Sequence, residues 1–404
     1  MTDTLKPRDA KEVEDAVRWA LGHEKALELV GHGTKRALGR PCQTDITLDL
    51  SGLAGVTLYE PAELVLSAKA GTPLSEIEAL LDKNNQQLDF EPMEYGPLLG
   101  NEPEQGTIGG TIAANLSGPR RIKSGAARDH FLGVTAVTGR AETIKSGGRV
   151  VKNVTGYDMC KVLAGSFGTL AAMTDVTVKV LPKPETQVTI LIEGLDDAQA
   201  CAAMAAAMGS SCDVSAAAHL PDHIASYFDG LPKPEATTVL RLEGVAPSVA
   251  HRKEALAALL KEFGPVALLD EKESKALWQS VRQVKPFATE SARMRPLWRV
   301  STAPRQAHRL VDLITPAAQM FYDWGGGLIW IAMPFEDEAD AGSVRRAVAE
   351  LGGHATLVRA PASLRASVDV FEPQEAGLAA LSKRVKEGFD PKGVLNPGRM
   401  WAGV

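Results

Sequence analysis

The chain is poor in cysteine, and its few cysteines are not spaced for a cluster. Four occur in 404 residues, at positions 42, 160, 201 and 212. Zinc ribbons and iron–sulfur clusters are built on closely paired cysteines, and no Cys-x-x-Cys pair is present here, so the sequence predicts neither. Unpaired cysteines indicate a reducing compartment, and the N-terminal sequence does not resemble a signal peptide. We therefore expect a cytoplasmic protein.

Long apolar runs and an excess of basic residues are also missing. No segment approaches the ~18 consecutive apolar residues of a membrane span, so we expect no transmembrane segment. The net charge is −6. This balance argues against a nucleic-acid partner, because phosphate contacts need clustered lysine and arginine. A hydrophobic fraction of 45% with 23% charged residues is ordinary for a globular protein with a sizeable core.

Glycine is plentiful in three stretches of the first 181 residues, and one of them, 106–118, carries no acid, base, thiol or imidazole. They are VGHGTKR (30–36), GTIGGTIAANLSG (106–118) and GGRVVKNVTGYDMCKVLAGSFGTL (147–170). Glycine lets a backbone approach a ligand closely, so that exposed N–H groups can bind phosphate oxygens. None of the three matches the common dinucleotide or Walker patterns. Each alone is compatible with tight turns in a β-rich domain, but their joint order is harder to explain in that way.

Periodicity predicts the elements around these stretches. Apolar residues at helical spacing predict a helix over 9–21, and a second helix begins near Pro73 with Thr72 or Ser75 as its cap. The β-rich segment 173–180 is stopped by Pro-Lys-Pro, which we take as the first domain boundary.

A pentapeptide repeat marks the middle of the chain. LPKPETQVTILIEG begins at Leu181 and LPKPEATTVLRLEG begins at Leu231. Each predicts a strand followed by a helix (197–209 and 247–263), and a third strand–helix pair is expected at 326–334 and 337–351. Duplication explains the shared Glu-Gly after the strand better than chance does. The pattern predicts an α+β domain with helices on one face of a mainly antiparallel sheet.

Five phrases in order carry a resemblance to a known family. GHGTK, YEPAELVLSAKAGTPLSEIEALL, GTIGGTIAANLSG and GRVVKNVTGYDMCKVLAGSFGTLAAMTDVTVKVLP resemble the PCMH-type FAD-binding domain of the vanillyl-alcohol-oxidase type, and FDPKGVLNPGRM resembles its closing segment. RRIKSGAARDHFLGVTAVTG is most similar to the FAD-binding E subunits of bacterial glycolate oxidases. The resemblance implies an α+β protein: a FAD domain of two α/β lobes (1–184), a ferredoxin-like cap (185–375) and a segment returning to the FAD domain (376–404).

The resemblance also assigns cofactor contacts. The loop under the FAD pyrophosphate would be Gly31, His32, Gly33, Thr34 and Lys35. Main-chain contacts along the flavin would come from Gly106, Thr107, Gly109, Gly110, Asn115, Ser117 and Gly118. The ring and the adenine half would be held by Gly156, Tyr157, Asp158, Gly165, Ser166, Gly168, Thr169 and Val176. Some members bond FAD through a histidine that aligns with Thr34, so we expect non-covalent FAD; His32 has the alternative of an ordinary loop histidine.

The sequence gives less information about the chemistry of the cap than about the cofactor. Oxidation of a 2-hydroxy acid needs a carboxylate clamp, for which the forked guanidinium of arginine is suited. Arg293, Arg295 and Arg299 are the candidates, with solvated surface or a partner-binding face as the alternative. No metal site is expected. His219 and His223 are four residues apart, but Pro221 between them disfavours helical ligand geometry.

Electrons on a reduced flavin would leave to oxygen, a soluble acceptor or a partner. The resemblance implies a complex with a larger flavoprotein subunit and an iron–sulfur subunit, which could bring the chain to a membrane. Two other hypotheses remain open: a catalytically silent scaffold that stabilises its partners, and a stand-alone oxidase using oxygen.

Overall fold

The computed structural model describes residues 3–150, 156–334 and 339–404, and these fall into two compact units. The first comprises residues up to 117, 125–182 and 373–404; the second comprises 118–124 and 183–372. The short segment 118–124, called the excursion below, thus belongs to the second unit, although the residues on either side of it in the sequence belong to the first. Compact packing does not by itself show independent folding, so the domain boundaries at 184 and 375 stay predictions.

Both strands and helices occur throughout the described residues. The strands are β1 (Asp3–Leu5), β2 (Leu27–Val30), β3 (Ile46–Asp49), β4 (Val56–Glu60), β5 (Val65–Lys69), β6 (Gln86–Gln87), β7 (Phe131–Thr138), β8 (Thr143–Gly147), β9 (Ala171–Lys179), β10 (Leu181–Pro182), β11 (Thr186–Glu193), β12 (Ala216–Leu220), β13 (Thr237–Gly244), β14 (Val266–Leu269), β15 (Leu297–Ser301), β16 (Gln319–Asp323), β17 (Leu328–Ala332) and β18 (His354–Arg359). The helices are α1 (Ala10–Gly22), α2 (Leu74–Asp82), α3 (Ile108–Ala113), α4 (Arg121–Ser124), α5 (Ala127–His130), α6 (Met159–Leu163), α7 (Asp197–Met208), α8 (Asp222–Ala225), α9 (Ala246–Leu260), α10 (Glu271–Arg282), α11 (Ala307–Asp312), α12 (Ala341–Leu351), α13 (Ala362–Ser367) and α14 (Ala376–Phe389).

The first unit contains two lobes with separate cores. A parallel sheet in the order β1-β3-β2 packs with α1, whose apolar face (Val13, Val17, Ala20) is fully buried. An antiparallel sheet in the order β4-β5-β9-β7-β8 forms the second lobe, where α2, α3 and α6 bury their apolar residues. The two α/β lobes expected from the sequence are confirmed.

The C-terminal residues pack with the first unit. Leu395 bridges Leu27 of β2 in parallel, which extends the edge of the three-stranded sheet, and the Asn396 N–H donates to the Leu27 carbonyl at 3.0 Å. The tail is thereby brought to the end of β2, where the first Gly-rich loop begins.

The second unit is one eight-stranded sheet made of two similar halves. Its order is β14-β11-β13-β12-β16-β17-β15-β18. Read along the chain, β11-α7-β12-β13-α9-β14 and β15-α11-β16-β17-α12-β18 are each a ferredoxin-like β-α-β-β-α-β arrangement. They meet where β12 pairs with β16, with His219 opposite Tyr322. The ferredoxin-like cap is confirmed, and it is doubled.

The structural repeat is larger than the repeat read from the sequence. The two LPKPE motifs precede β11 and β13, which are adjacent antiparallel strands of the same half. Each of these two strands is followed by a helix, as predicted. The unit that repeats in the structure, however, is the complete β-α-β-β-α-β half of the sheet. The sequence of the second half lacks the pentapeptide, so the pattern could not reveal it.

Two local predictions were wrong. Helix α2 has Pro73 at its N-cap and no side-chain cap, because the Thr72 hydroxyl donates instead to the Lys69 carbonyl at 2.7 Å. The helices are not all on one face of the cap sheet. Helix α10 covers the face opposite α7, where the Trp278 indole N–H donates to the Thr189 hydroxyl at 2.9 Å.

Candidate functional site

The first Gly-rich loop leaves β2 and packs on the second Gly-rich stretch. A Cβ on Gly31 would lie 2.7 Å from the Thr107 hydroxyl oxygen, closer than real Cβ atoms approach, so glycine is required for this contact. The Thr34 side chain is buried at 5% exposure, while His32 is exposed. The two segments that are far apart in sequence therefore form one surface.

Thr107 starts the short helix α3 in the second Gly-rich stretch. Its hydroxyl accepts a hydrogen bond from the Gly110 N–H at 3.2 Å, as an N-cap does. A Cβ on Gly110 would lie 3.1 Å from that hydroxyl and 3.4 Å from Lys35 Nζ. Position 110 is thus tightly flanked by the side chains of Thr107 and Lys35, for which the family resemblance predicts contacts with the cofactor.

Two adjoining hollows open along this surface. The first, of about 510 Å³, is rich in polar and cationic groups and is lined by Leu29, Val30, Gly31, His32, Gly33, Thr34, Lys35, Arg36, Leu38, Thr107, Gly110, Ala113, Ala114, Phe167, Asn396 and Arg399. The second, of about 460 Å³, is largely apolar and is lined by Leu29, Val30, Gly31, Leu50, Ala70, Thr107, Gly109, Gly110, Ala113, Phe167, Gly168, Ala171, Ala172, Met173 and Asn396. Their shared lining makes them one continuous groove.

Lys35 gives the first hollow its electrostatic character. Burial lowers the pKa of this ammonium group to about 8, although the carboxylate of Glu94 opposes the shift. The Lys35 ammonium donates to the Thr34 hydroxyl at 3.3 Å. The Glu94 carboxylate itself is engaged by the N–H groups of Glu104 and Gly106, at 2.8 and 3.0 Å. A partly buried cation whose charge is only partly balanced favours an anionic ligand.

Among the groove residues that the sequence analysis missed are two polar side chains of the C-terminal tail, Asn396 and Arg399. The Asn396 Oδ1 accepts from the Leu29 N–H at 2.9 Å, and its amide donates to the Phe167 carbonyl at 2.8 Å. Arg399 is buried, and its guanidinium donates to the Lys35 carbonyl at 3.0 Å. The sequence signal for these two residues was the motif LNPGRM, which contributed to the family resemblance but was not used to predict site residues. Within this motif Asn396 adopts a φ of 42°.

The predicted cofactor residues divide into those that line the groove and those that do not. Gly31, His32, Gly33, Thr34, Lys35, Thr107, Gly109, Gly110 and Gly168 line it. Gly106 lies one residue before Thr107, and its carbonyl accepts from the Leu74 N–H at 2.8 Å. For all of them, contact with a cofactor stays a prediction.

The remaining predicted cofactor residues of the second stretch are engaged elsewhere. The Asn115 side chain accepts from the Arg128 N–H at 3.0 Å, and the Ser117 hydroxyl accepts from the Ala127 N–H at 2.8 Å. Gly118 belongs to the second unit, where its carbonyl accepts from the Trp324 indole N–H at 3.0 Å.

The third Gly-rich stretch is only partly described, since 151–155 lie outside the described residues. Gly156, Tyr157 and Asp158 are exposed, and the first two line a separate surface hollow beside β8. Gly165, Ser166 and Thr169 form the turns between α6 and β9, and Val176 is buried within β9, between β5 and β7. Their cofactor roles also stay predictions.

The three arginines of the cap do not converge. The Arg295 guanidinium donates to the main-chain carbonyls of Met333 and Ala317, at 3.0 and 2.9 Å. Arg293 is close enough to Arg359 to help burial lower the pKa of that guanidinium to about 10. Arg299 lies elsewhere, with its guanidinium carbon 4.8 Å from the ring centre of Trp324. Local sequence clustering therefore did not produce a cluster in space.

The two histidines discussed as ligands occupy different elements. The His219 ring lies in β12, its Nδ1 3.0 Å from the Thr238 hydroxyl, and its Nε2 3.3 Å from Asp197. The His223 Nε2 in α8 accepts from the Met320 N–H at 3.2 Å. Across the described ranges, no three His, Cys, Asp or Glu groups are placed to share a metal ion. None of the helices in those ranges has the length and apolarity to cross a bilayer.

The composition of the groove fits a dinucleotide that carries a flat ring. Its cationic hollow, lined by Lys35 of the first loop, suits a diphosphate, and its apolar hollow suits an aromatic ring system. Asn396 contacts the backbone on both sides where the two hollows meet. The residues present therefore fit a flavin dinucleotide.

Comparisons with known proteins agree with this geometry. Residues 4–147 match the family profile described as FAD binding domain. The chain is 34% identical to the glycolate oxidase subunit GlcE of Escherichia coli (strain K12), over 96% of each chain. It is 28% identical to the glycolate oxidase subunit GlcD of Bacillus subtilis (strain 168), over 98% of this chain and 88% of the relative.

Solved structures show the same fold at low identity. An alkyldihydroxyacetonephosphate synthase superposes with a TM-score of 0.71 at 17% identity, over 98% of this chain and 76% of that one. A 4-ethylphenol oxidase from Gulosibacter chungangensis superposes with a TM-score of 0.71 at 13% identity, over 99% of this chain and 89% of that one. The chain belongs to the PCMH-type FAD-binding flavoproteins, in the same family as GlcE, and its cofactor is FAD.

Proposed function

We propose that the chain is the FAD-binding subunit of a complex that oxidises glycolate or a related 2-hydroxy acid. The similarity to GlcE carries this proposal, because it extends over 96% of both chains and so includes the cap unit as well as the FAD-binding unit. Substrate selection in such proteins depends on residues outside the cofactor groove, so likeness restricted to the FAD domain would have been uninformative.

The first unit would bind the cofactor without a covalent bond. Lys35 would neutralise part of the diphosphate charge, and the apolar hollow beside Ala171 and Met173 would hold a ring. Thr34 supplies a hydroxyl and no ring nitrogen at the position where some family members carry a histidine. The bound FAD would supply hydride acceptance from the alcohol carbon.

The chain would act together with other subunits. Its similarity to two proteins that are both named as subunits of glycolate oxidase supports a hetero-oligomer. We propose a larger flavoprotein subunit and an iron–sulfur subunit as the partners that receive the electrons. On this proposal the chain is cytoplasmic and reaches a membrane only through those partners.

Anaerobic mixing tests whether this chain oxidises the substrate itself. The chain loaded with FAD is mixed with glycolate in the absence of oxygen, and the flavin absorbance is followed. Bleaching would support oxidation by this subunit. An unchanged spectrum from the isolated chain, with bleaching restored in the assembled complex, would assign it an electron-relay role.

Purification with untagged partners tests the complex. The captured proteins are assayed for iron and for a second flavin. We expect both in amounts comparable with the bait. Absence of both, together with no bleaching in any preparation, would contradict the proposed function and favour a scaffold whose flavin is structural.

A further inference from the structure

Arg399 of the C-terminal tail contacts the end of the first Gly-rich loop. Its guanidinium Nη2 donates to the carbonyls of Lys35 and Arg36, at 3.0 and 3.2 Å. The residue is 6% exposed and lines the cationic hollow. We propose that Arg399 is a positioning residue for FAD, which fixes the main chain of the loop so that Lys35 faces the cofactor diphosphate, a proposal that rests on the predicted contact between this loop and the diphosphate.

The loop that Arg399 contacts is built of turns. The Arg36 N–H donates to the Gly33 carbonyl at 3.1 Å, and Gly33 has a φ of 77°, a conformation open mainly to glycine. Glycine also makes such a loop flexible when nothing outside the loop fixes its main chain. A loop that is already ordered in the free protein binds a ligand with a smaller loss of conformational entropy. A donor from another segment that fixes this loop therefore strengthens FAD binding.

The tail contacts both ends of the segment that carries the loop. Before the loop, the Leu29 N–H donates to Asn396 Oδ1 at 2.9 Å. After the loop, the Arg40 N–H donates to the Arg399 carbonyl at 2.8 Å, and a Cβ on Gly39 would lie 2.9 Å from that carbonyl oxygen. The Arg399 N–H donates in turn to the Asn396 carbonyl at 3.2 Å, which joins the two contacts. Because its own main chain is fixed in this way, Arg399 can support the loop with its side chain.

The carboxylate of Glu28 in β2 lies beside the guanidiniums of both Arg399 and Arg36. Its Oε1 is 3.7 Å from Arg399 Nη1 and accepts from Arg36 Nε at 3.2 Å. Two guanidiniums therefore share this carboxylate, and Lys35 adds a third cation to the lining of the hollow. Among the described residues that line the cationic hollow, none is acidic. The hollow thus keeps a positive potential, which favours a diphosphate.

A purely structural role for Arg399 would have a different consequence from a positioning role. If Arg399 only fastened the tail, its loss would weaken FAD binding by the same factor whether or not Lys35 is present. If Arg399 positions the loop, part of its effect on FAD acts through Lys35 and disappears when Lys35 is replaced. A double-mutant cycle in FAD affinity separates the two roles.

The cycle is measured by fluorescence titration of FAD into the full chain freed of its cofactor, at about pH 7, where Lys35 is protonated. It compares the wild type, Arg399→Met, Lys35→Met and the double variant. Arg384→Met, which replaces an exposed arginine of α14, is the control and should bind FAD as the wild type does. We expect Arg399→Met to weaken binding about 10- to 100-fold, the usual effect of losing hydrogen bonds from a charged group. In the Lys35→Met background the same substitution should weaken binding by a smaller factor.

The pH dependence of FAD affinity is a second readout, which a loss of stability alone does not change. Burial lowers the pKa of Lys35 to about 8, although the carboxylate of Glu94 opposes the shift, so the wild-type affinity should fall above that pH. In Arg399→Met this fall should be smaller, because the Lys35 ammonium no longer faces the diphosphate. If Arg399→Met does not fold, Arg399→Lys takes its place in the cycle, since lysine keeps the charge but donates from a single ammonium.

Three results would overturn the inference: wild-type FAD affinity in the Arg399 variant, an equal factor of weakening in the two backgrounds, or wild-type FAD affinity in Lys35→Met. A smaller factor in the Lys35→Met background, together with the reduced pH dependence, would support it. The titrations use no glycolate, so failure of the positioning role leaves the proposed function untouched. Flavin that glycolate bleaches in no preparation would contradict the proposed function alone.

Discussion

Lys386 and Asp390 form a buried ion pair that fastens the C-terminal tail to the FAD-binding unit. The ammonium and carboxylate are 2.7 Å apart, and their side chains are 6% and 0% exposed. Lys386 also donates to the carbonyls of Thr169 and Leu395, and Asp390 accepts from the N–H groups of Val394 and Leu395. The pair thus fixes the chain just before Asn396, which reaches the groove.

Removing the cation of this pair should destabilise the protein. Lys386→Met leaves the buried Asp390 carboxylate without its partner, a change that typically costs about 3–5 kcal/mol. We also expect weaker FAD binding, because Asn396 loses its support. Urea unfolding and FAD titration of the apoprotein measure the two effects. Lys383→Met, on the exposed side of the same helix, is the control; equal stability of the two variants would refute the role of the pair.

The affinity for FAD should depend on pH through Lys35. The pKa of Lys35 is lowered to about 8 in the free groove, and a bound diphosphate would raise it. Protonated Lys35 binds the anion best, so affinity is steady below pH 8 and falls by up to about tenfold per pH unit above it, until the pKa of the bound state is reached.

Fluorescence titrations with FAD between about pH 7 and 9 measure this dependence. Lys35→Met should bind more weakly and with little pH dependence, whereas Lys83→Met, an exposed lysine, should follow the wild type. A wild-type affinity that is constant across this range would rule out contact between Lys35 and the diphosphate.

A side chain at position 110 should reduce retention of FAD. In Gly110→Val the new atoms meet the Thr107 hydroxyl and Lys35 Nζ, so both would be displaced from the groove. Flavin content after gel filtration should fall to a small fraction of the wild-type value. Gly377→Val is the control, since a Cβ there meets nothing within 4 Å. Undiminished flavin in Gly110→Val would show that the groove tolerates the displacement.

FAD should leave the protein on denaturation. Thr34 and the exposed His32 are the side chains of the first loop considered for a covalent bond, and we expect neither to form one. After acid precipitation the yellow colour should remain in the supernatant. Colour that stays with the pellet, and disappears from it in His32→Ala, would contradict the expectation of non-covalent binding.

The sequence was most informative where function is carried by the backbone. Gly-rich phrases such as GHGTK indicated, through the family resemblance, which backbone segments line the groove. A Cβ on Gly31 would lie 2.7 Å from the Thr107 hydroxyl oxygen, so the close approach of these two segments depends on glycine. The sequence was least informative about which side chains contact each other. Arg293, Arg295 and Arg299 are close in sequence, yet the turn before β15 and the register of that strand direct them to different neighbours.

The sequence by itself predicted the family, the cofactor and the fold class through its resemblance to PCMH-type flavoproteins, because the phrases that carry this resemblance are local stretches of the chain. Tertiary structure alone decided which side chains meet. Asn396 reaches β2 across 367 positions of sequence, and Arg121 shares an indole with Arg299 because an excursion of seven residues packs with the other unit. Such contacts depend on how distant segments bury their surfaces together, and no local pattern encodes that.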